Sequence, residues 1–356
     1  MKSKVFFVPV TNDEVVSEVA KKLERLIAAG RVFDALARDA TVAVKLHFGE
    51  QGNTGFVNPA YLAIVVKELK KQGARPFVSD TNTLYKGKRT NSKDHLALAY
   101  EHGFTPEAIG AEVIIPDDTR PENIREIRRT GTYVKLARIA GVFHDADAIV
   151  GVAHFKGHIM TGFGGALKNV GMGCATRSGK LFQHGDIAPF VVERRCKGCK
   201  ACSLVCPAQA IVFKDEKAVI DPAKCIGCAS CIAACTCAAI DVKWEAGGDL
   251  IQQKMVEYAA AVLANKKGKA VFLNFCTKIT AECDCLAKDD PRIAPDVGIL
   301  ASVDPVAIDK ASLDLSLEAA GADVFKNAHP ARDGMRQLEH AFGLKLGNVE
   351  YEIVRV

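Results

Sequence analysis

The cysteines constrain this chain more than any other feature. RCKGCKACSLVCPAQAIVF at 195–213 and KCIGCASCIAACTCAAIDV at 224–242 are two copies of one pattern, offset by 29 positions, and every cysteine of the first copy recurs in the second. Each copy reads C-x2-C-x2-C-x3-C, and nine of the 13 cysteines lie between Cys196 and Cys237. Three thiolates at that spacing wrap one corner of a cubane iron–sulfur cluster, because a tight turn brings them within reach of three irons. A fourth ligand must come from elsewhere. A chain of 356 residues can bury a large core and needs no disulfide staples, so the clustering points to metal binding.

Over roughly residues 188–244 the sequence resembles bacterial-type two-cluster ferredoxins at these cysteines. In that arrangement the fourth cysteine of each run serves the other cluster. Cys196, Cys199, Cys202 and Cys235 are therefore expected to hold one 4Fe-4S cluster, and Cys225, Cys228, Cys231 and Cys206 the other. The first run keeps Pro207 after its fourth cysteine, whereas the second has Thr236 and Cys237 there, which puts the loop geometry in question. Paired zinc knuckles are the competing reading, but they usually lack a third and fourth cysteine at these intervals. Cys237 reads as a spare buried thiol.

Outside this stretch, helix and strand signals alternate. TNDEVVSEVAKKLERLIAAG has polar caps, apolar residues at helical spacing and Gly30 as a stop; TVAVKLHF reads as a buried strand; NPAYLAIVVKELKKQG is a helix entered through Pro59. ARPFVSD, AEVIIP and ADAIVGVAHF follow as strands, with a helix over DHLALAYEHG. After Trp244, GGDL opens a helix, KAVFLNFC and VGILAS are strands, DPVAIDKASLDLSLEA is a helix with Asp304 as its N-cap, and YEIVRV closes as an edge strand. This alternation predicts an α/β fold: a mainly parallel sheet with helices on both faces. The expected organisation is one discontinuous α/β domain, 1–187 and 245–356, with a small α+β ferredoxin-like two-cluster domain inserted at 188–244.

The charge excludes little and suggests little. A formal +5, from 47 basic and 42 acidic residues, gives no reason to invoke nucleic acid. The first apolar run, Val5 to Val10, is too short for a signal-peptide core, and no later stretch reaches the ~18 apolar residues of a membrane span. A cytoplasmic protein without a membrane span is the expectation.

His154, Lys156 and His158 alternate in HFKGHIMTGFGGALKN, so a strand continuing through them would point all three to one face at its carboxyl end. Open α/β sheets bind their ligands at that end. The histidines are candidate proton donors or metal ligands. Gly162, Gly164 and Gly165 form a candidate anion loop before a helix start at Ala166, with Lys168 adding a point charge. Ordinary hydrogen-bonded histidines beside a surface loop are the plainer alternative. His47 and Asp80 end two further strands and should open onto the same cleft, where Lys86, Lys88, Arg89 and Lys93 are available to face an anion. Cys174, Arg177, Lys180, His184 and Asp186 stand just ahead of the cysteine-rich stretch. Cys276, Cys283 and Cys285 read either as a metal site or as free thiols.

Four of these segments together resemble one family: VKLHFGEQGNTG, SDTNTLYKGKRTN, HFKGHIMTGFGGALKNVGMGCATRSGK and CDCLAKDDPRIAPDVGILASVDPVAIDKA. They look like the Fe-S center proteins grouped as a domain of unknown function, often with an inserted ferredoxin. That resemblance implies the fold but no particular activity. The domain is also distantly similar to the nickel-cofactor lactate racemase superfamily, which uses histidines and a lysine around its cofactor. The function expected is an iron–sulfur oxidoreductase whose two 4Fe-4S clusters pass single electrons to a small anionic substrate or second cofactor (a further metal or a flavin) in the α/β cleft. A redox partner protein would exchange the electrons. An electron carrier that only docks a partner enzyme, and a module that handles metal or cofactor during maturation of another protein, are the alternatives.

Overall fold

A computed structural model describes residues 2–185, 188–243 and 250–356. The expected domain boundaries at 187/188 and 244/245, Asp186 and the GGD of the GGDL helix start therefore lie outside the described residues. Eight strands form one sheet. From edge to edge these are Tyr351–Arg355, Ser3–Pro9, Gly298–Ser302, Ala270–Cys276, Ala148–His154, Thr41–Lys45, Arg75–Ser79 and Val113–Ile114. The five strands from Ala270–Cys276 to Val113–Ile114 pair in parallel, and only Gly298–Ser302 runs against both its neighbours. The sheet is mainly parallel, and YEIVRV is indeed an edge strand.

Strand residues alternate between two buried layers, which is why the strands read as unbroken apolar runs. Ala43, Ile149 and Phe272 face a core closed by helices Leu250–Leu263, Pro305–Ala320 and Met335–Gly343. Val42, Val44, Val150 and Val271 face the opposite core, under helices Val16–Gly30 and Pro59–Lys71. Helices thus cover both faces. Asp304 caps its helix as expected, accepting from the amides of Val306 and Ala307. Arg31, with φ 47°, rather than Gly30, makes the left-handed turn ending the first helix. No helix among the described residues is long and apolar enough to cross a membrane.

The strand Ala148–His154 does not run on through Lys156 and His158. Phe155 turns into the core against Phe163 and Phe325, and Lys156–His158 pairs instead with Gly162–Gly164 in a separate antiparallel hairpin. A buried aromatic side chain breaks the alternation on which the sequence expectation relied. The hairpin Ile124–Arg128/Leu136–Ala140 and the helix Arg177–His184 lacked a clear sequence signal.

The cysteine repeat is also a repeat of backbone conformation. Gly198 and Gly227 have φ 67° and 68°, Lys200 and Ala229 have 63° and 60°, and Gln209 and Ala238 have 49° and 50°. A short helical turn follows each glycine, Ala201–Leu204 and Ser230–Ala234. Gly198 is needed twice over, because a side chain there would also meet the carbonyl oxygen of Glu216 at 2.5 Å. The second run keeps the turn of the first despite lacking its proline. A short antiparallel pair, Phe190–Val191 with Ile240–Asp241, and a hairpin, Ile211–Lys214 with Lys217–Ile220, complete the module.

Candidate functional site

The carboxyl ends of the parallel strands open on one cavity of about 520 Å³, within the range of small-molecule sites. His47, Asp80 and His154 all line it, as do Lys156, His158, Lys168, Gly164 and Gly165. Of the basic loop, Lys86 and Arg89 reach the wall; Lys88 and Lys93 stand exposed elsewhere. Gly162 is in the hairpin but not in the wall.

The walls are cationic. Lys45, only 1% exposed, sits 3.0 Å from Asp80, and donates to the carbonyl of Leu46 and to Asn169. Burial raises the Asp80 pKa, but the charges of Lys45, His95, Lys180 and Arg89 outweigh it and lower it overall. Lys180 donates to Thr81 and to the carbonyl of Asn82, and burial lowers its pKa to about 8. Arg89 donates to Glu50 and Tyr85. Lys168 differs: no hydrogen-bond acceptor faces its ammonium among the described residues. Burial, and then the charge of Lys156, lower its pKa to about 7. A cation without a partner in a cationic cavity is what an anionic ligand would complete. Lys45 was missed in the sequence reading, although a lysine inside VAVKLHF interrupts an otherwise apolar strand.

The ring nitrogens of the histidines are largely taken up by protein groups. His154 Nδ1 lies 2.9 Å from Asp284 and its Nε2 lies 2.9 Å from the carbonyl of Thr277. Both nitrogens thus face oxygen atoms of the protein. His158 Nδ1 accepts from the amide of Met160, which puts the ring proton on Nε2, and burial holds its pKa well below the ordinary value. His47 Nδ1 accepts from the amide of Gly49, and its Nε2 faces Arg89 at 2.9 Å. Burial and Arg89 keep it neutral. Among the described residues, no three His, Cys, Asp or Glu side chains converge as a single ion would require.

The helix start that follows the glycine loop already faces a protein carboxylate. The amides of Ala166 and Leu167, where the helix Ala166–Gly171 begins, donate to the buried carboxylate of Asp309 at 2.7 and 2.9 Å. That protein carboxylate already fills the anion position. Asp309 came into the sequence reading only as part of a helix.

The thiols gather in two sets. One small hollow is lined by Cys196, Cys199, Cys202 and Cys235, with Cys237 beside them; a second is lined by Cys206, Cys225, Cys228 and Cys231. Each set takes three cysteines from one run and the fourth from the other. All eight are free. Amides of Ala210 and Ala239 point at the sulfurs of Cys206 and Cys235, at 3.3 and 3.2 Å, equivalent positions in the two copies. Thiols around a hollow suit a cluster, whose irons each take one ligand, better than a single ion. Cys237 lies 3.7 Å from Cys235.

Cys235 also lines the large cavity, together with Ile232, Ala238 and Ile240. Cys285 lines it from the α/β side and is bonded to Cys283 in a disulfide, so the C-x-C pair is neither a metal site nor two free thiols. Cys276 is apart from them in the core, its pKa pushed up to about 12 by burial. Cys174 is likewise buried and raised to about 12.

Among solved structures, the fold is similar to a lactate racemase apoprotein from Thermoanaerobacterium thermosaccharolyticum, with 16% identity and a TM-score of 0.42 over 77% of this chain and 51% of that one. A protein from Thermotoga maritima matches with 13% identity and a TM-score of 0.42 over 88% of this chain and 60% of its own. The chain thus corresponds to only part of each. Residues 42–314 match the domain of unknown function DUF362. That span takes in the strand ends, the cavity and the cysteine repeat, and the chain belongs to the DUF362 family.

Proposed function

We propose that this protein is an iron–sulfur oxidoreductase that delivers single electrons to an anionic substrate, or to a second cofactor, in the cationic cavity. Cys196, Cys199, Cys202 and Cys235 would hold one 4Fe-4S cluster, and Cys206, Cys225, Cys228 and Cys231 the other. When bound, such clusters supply electrons one at a time. The observation that carries the reading is that Cys235 lines both the first thiol hollow and the large cavity.

The chain's own residues then divide the work. Lys168, with Lys45, Lys156 and Lys180 behind it, attracts the anion. Asp284 fixes His154 and Lys156, and the Nε2–H of His158 is available to hydrogen-bond a ligand. Anaerobic purification followed by iron and sulfide analysis tests the reading, and about eight irons per chain are expected. Four or fewer, or stoichiometric zinc, would sink it. His158→Ala should abolish turnover while leaving the cluster spectra unchanged.

A carrier role is the second reading. Leu204 is 85% exposed on the module, and Cys199, Val205 and Ile226 are also exposed. Such a surface suits a redox partner protein. If the α/β domain only docks an enzyme, His158→Ala should leave electron transfer to that enzyme intact.

A further inference from the structure

We infer that the Cys283–Cys285 disulfide is a second redox centre of this protein, a dithiol/disulfide couple that collects two electrons at the cavity wall. This rests on the iron–sulfur reading above. Cys285 lines the same cavity as Cys235, so one cysteine of the disulfide and one of the first thiol quartet border a common space. The segment Tyr85–Lys86 ties the two sides together. Tyr85 Oη donates to the carbonyl of Cys285 at 2.9 Å, and Lys86 Nζ donates to that of Thr236, next to Cys235, at 2.7 Å.

A structural role explains this disulfide poorly. It links residues two apart, and so small a loop removes little entropy from the unfolded chain. The turn is also held by other bonds. The Asp284 carboxylate binds His154 at 2.9 Å and Lys156 at 3.4 Å, its carbonyl accepts from the amide of Glu50, and the Cys283 carbonyl accepts from that of Leu286. Opening the sulfur–sulfur bond would therefore leave both sulfurs side by side, ready to close again. The other 11 cysteines are free, so the pairing is selective.

The chemistry balances. Two electrons and two protons break the sulfur–sulfur bond and give two thiols. The iron–sulfur centres, when bound, would supply the electrons singly, and solvent in the cavity would supply the protons. Such a couple lets one-electron donors serve an acceptor that takes electrons in pairs.

The test is an anaerobic titration of the intact chain with reduced methyl viologen, a one-electron donor. Samples are alkylated with iodoacetamide and mapped by mass spectrometry, and iron is measured on the same preparation. Wild type should take up two electrons more than Cys283→Ser, a variant that keeps its iron and EPR signals. Over the same interval Cys283 and Cys285 should change from disulfide to alkylated thiols. In Cys235→Ser, viologen should no longer open the bond, whereas dithiothreitol still should. Clusters fully reduced over a closed disulfide, or equal uptake by wild type and Cys283→Ser, overturns the inference while leaving the iron–sulfur reading standing. Iron-free protein removes that reading instead. Opening by viologen at an unchanged rate without iron overturns the link between the two.

Discussion

The carboxylate of Asp284 meets Nδ1 of His154 at 2.9 Å, with both side chains buried and with half of a disulfide on either side of the aspartate. This pair sets the position of the C-x-C turn against the cavity. Burial raises the Asp284 pKa, but His154 and Lys156 outweigh it and hold the carboxyl well below the ordinary range. An acid lowered in this way contributes stability above its unfolded pKa of about 3.9, and that contribution is lost as pH falls through the folded value. His154→Ala removes the larger attraction and leaves a buried carboxylate half-compensated, a change that costs about 3–5 kcal/mol. Denaturant unfolding at neutral pH should show the loss. Acid unfolding should also begin at a higher pH in the variant.

Lys168 makes a prediction of opposite sign. A lysine whose folded pKa is lowered, here to about 7, destabilises the native state at and below that pH and is relieved as pH rises toward its unfolded value. Lys168→Met should therefore raise the unfolding midpoint at pH 6 and have no effect near pH 10 (at or above roughly the unfolded lysine pKa). An anion in the cavity reverses the balance, because it stabilises the ammonium. Phosphate should raise the melting temperature of wild type more at pH 6 than at pH 8, and Lys168→Met should lose that difference. A phosphate response unchanged by the substitution would remove Lys168 from the anion site.

Asp309 tests whether a carboxylate really fills the end of the Ala166–Gly171 helix. Burial pushes its pKa up to about 6, against the hydrogen bonds from Leu167, Asn274 and Ala166. A raised acid favours the native state below its unfolded pKa, and that advantage is lost as pH rises through about 6. The stability difference between wild type and Asp309→Asn should therefore change between roughly pH 4 and pH 6 and level off above. Asp309→Ala leaves two buried amides unpaired and should cost about 1–3 kcal/mol for each. A flat difference across that range would show that the carboxylate is not raised.

The sequence carried the sheet and the cysteine quartets because both have short-range signatures. Apolar runs such as TVAVKLHF report strands buried on two faces, and the spacing of Cys196 to Cys206 reports a turn whose left-handed residues recur 29 positions later. His47, Asp80 and His154 came together because parallel strands end on one edge. What sequence could not supply was the state of each side chain. Whether His154 has a free nitrogen depends on Thr277 and Asp284, more than 120 residues away. Whether the Ala166 amide is open to an anion depends on Asp309, at a separation of 143. The buried Phe155, which ends the strand one residue after His154, has no periodic signal at all. Contacts of that range are set by the fold as a whole.

The crossed pairing of the quartets gives the last prediction. Cys206 belongs to the first run but lines the hollow of the second, and Cys235 does the reverse. Removing either should therefore damage the cluster of the opposite run. Cys235→Ser and Cys196→Ser should lose the same cluster, of about four irons, and keep the other, although they lie in different runs. Cys206→Ser should instead pair with Cys225→Ser. Only the first pair should change any reaction measured in the large cavity, because Cys235 is the one quartet cysteine in its wall among the described residues. Iron content and EPR of the four variants separate the two arrangements. If Cys206→Ser and Cys196→Ser lose the same signal, each run binds its own cluster, and the route from Cys235 into the cavity loses its basis.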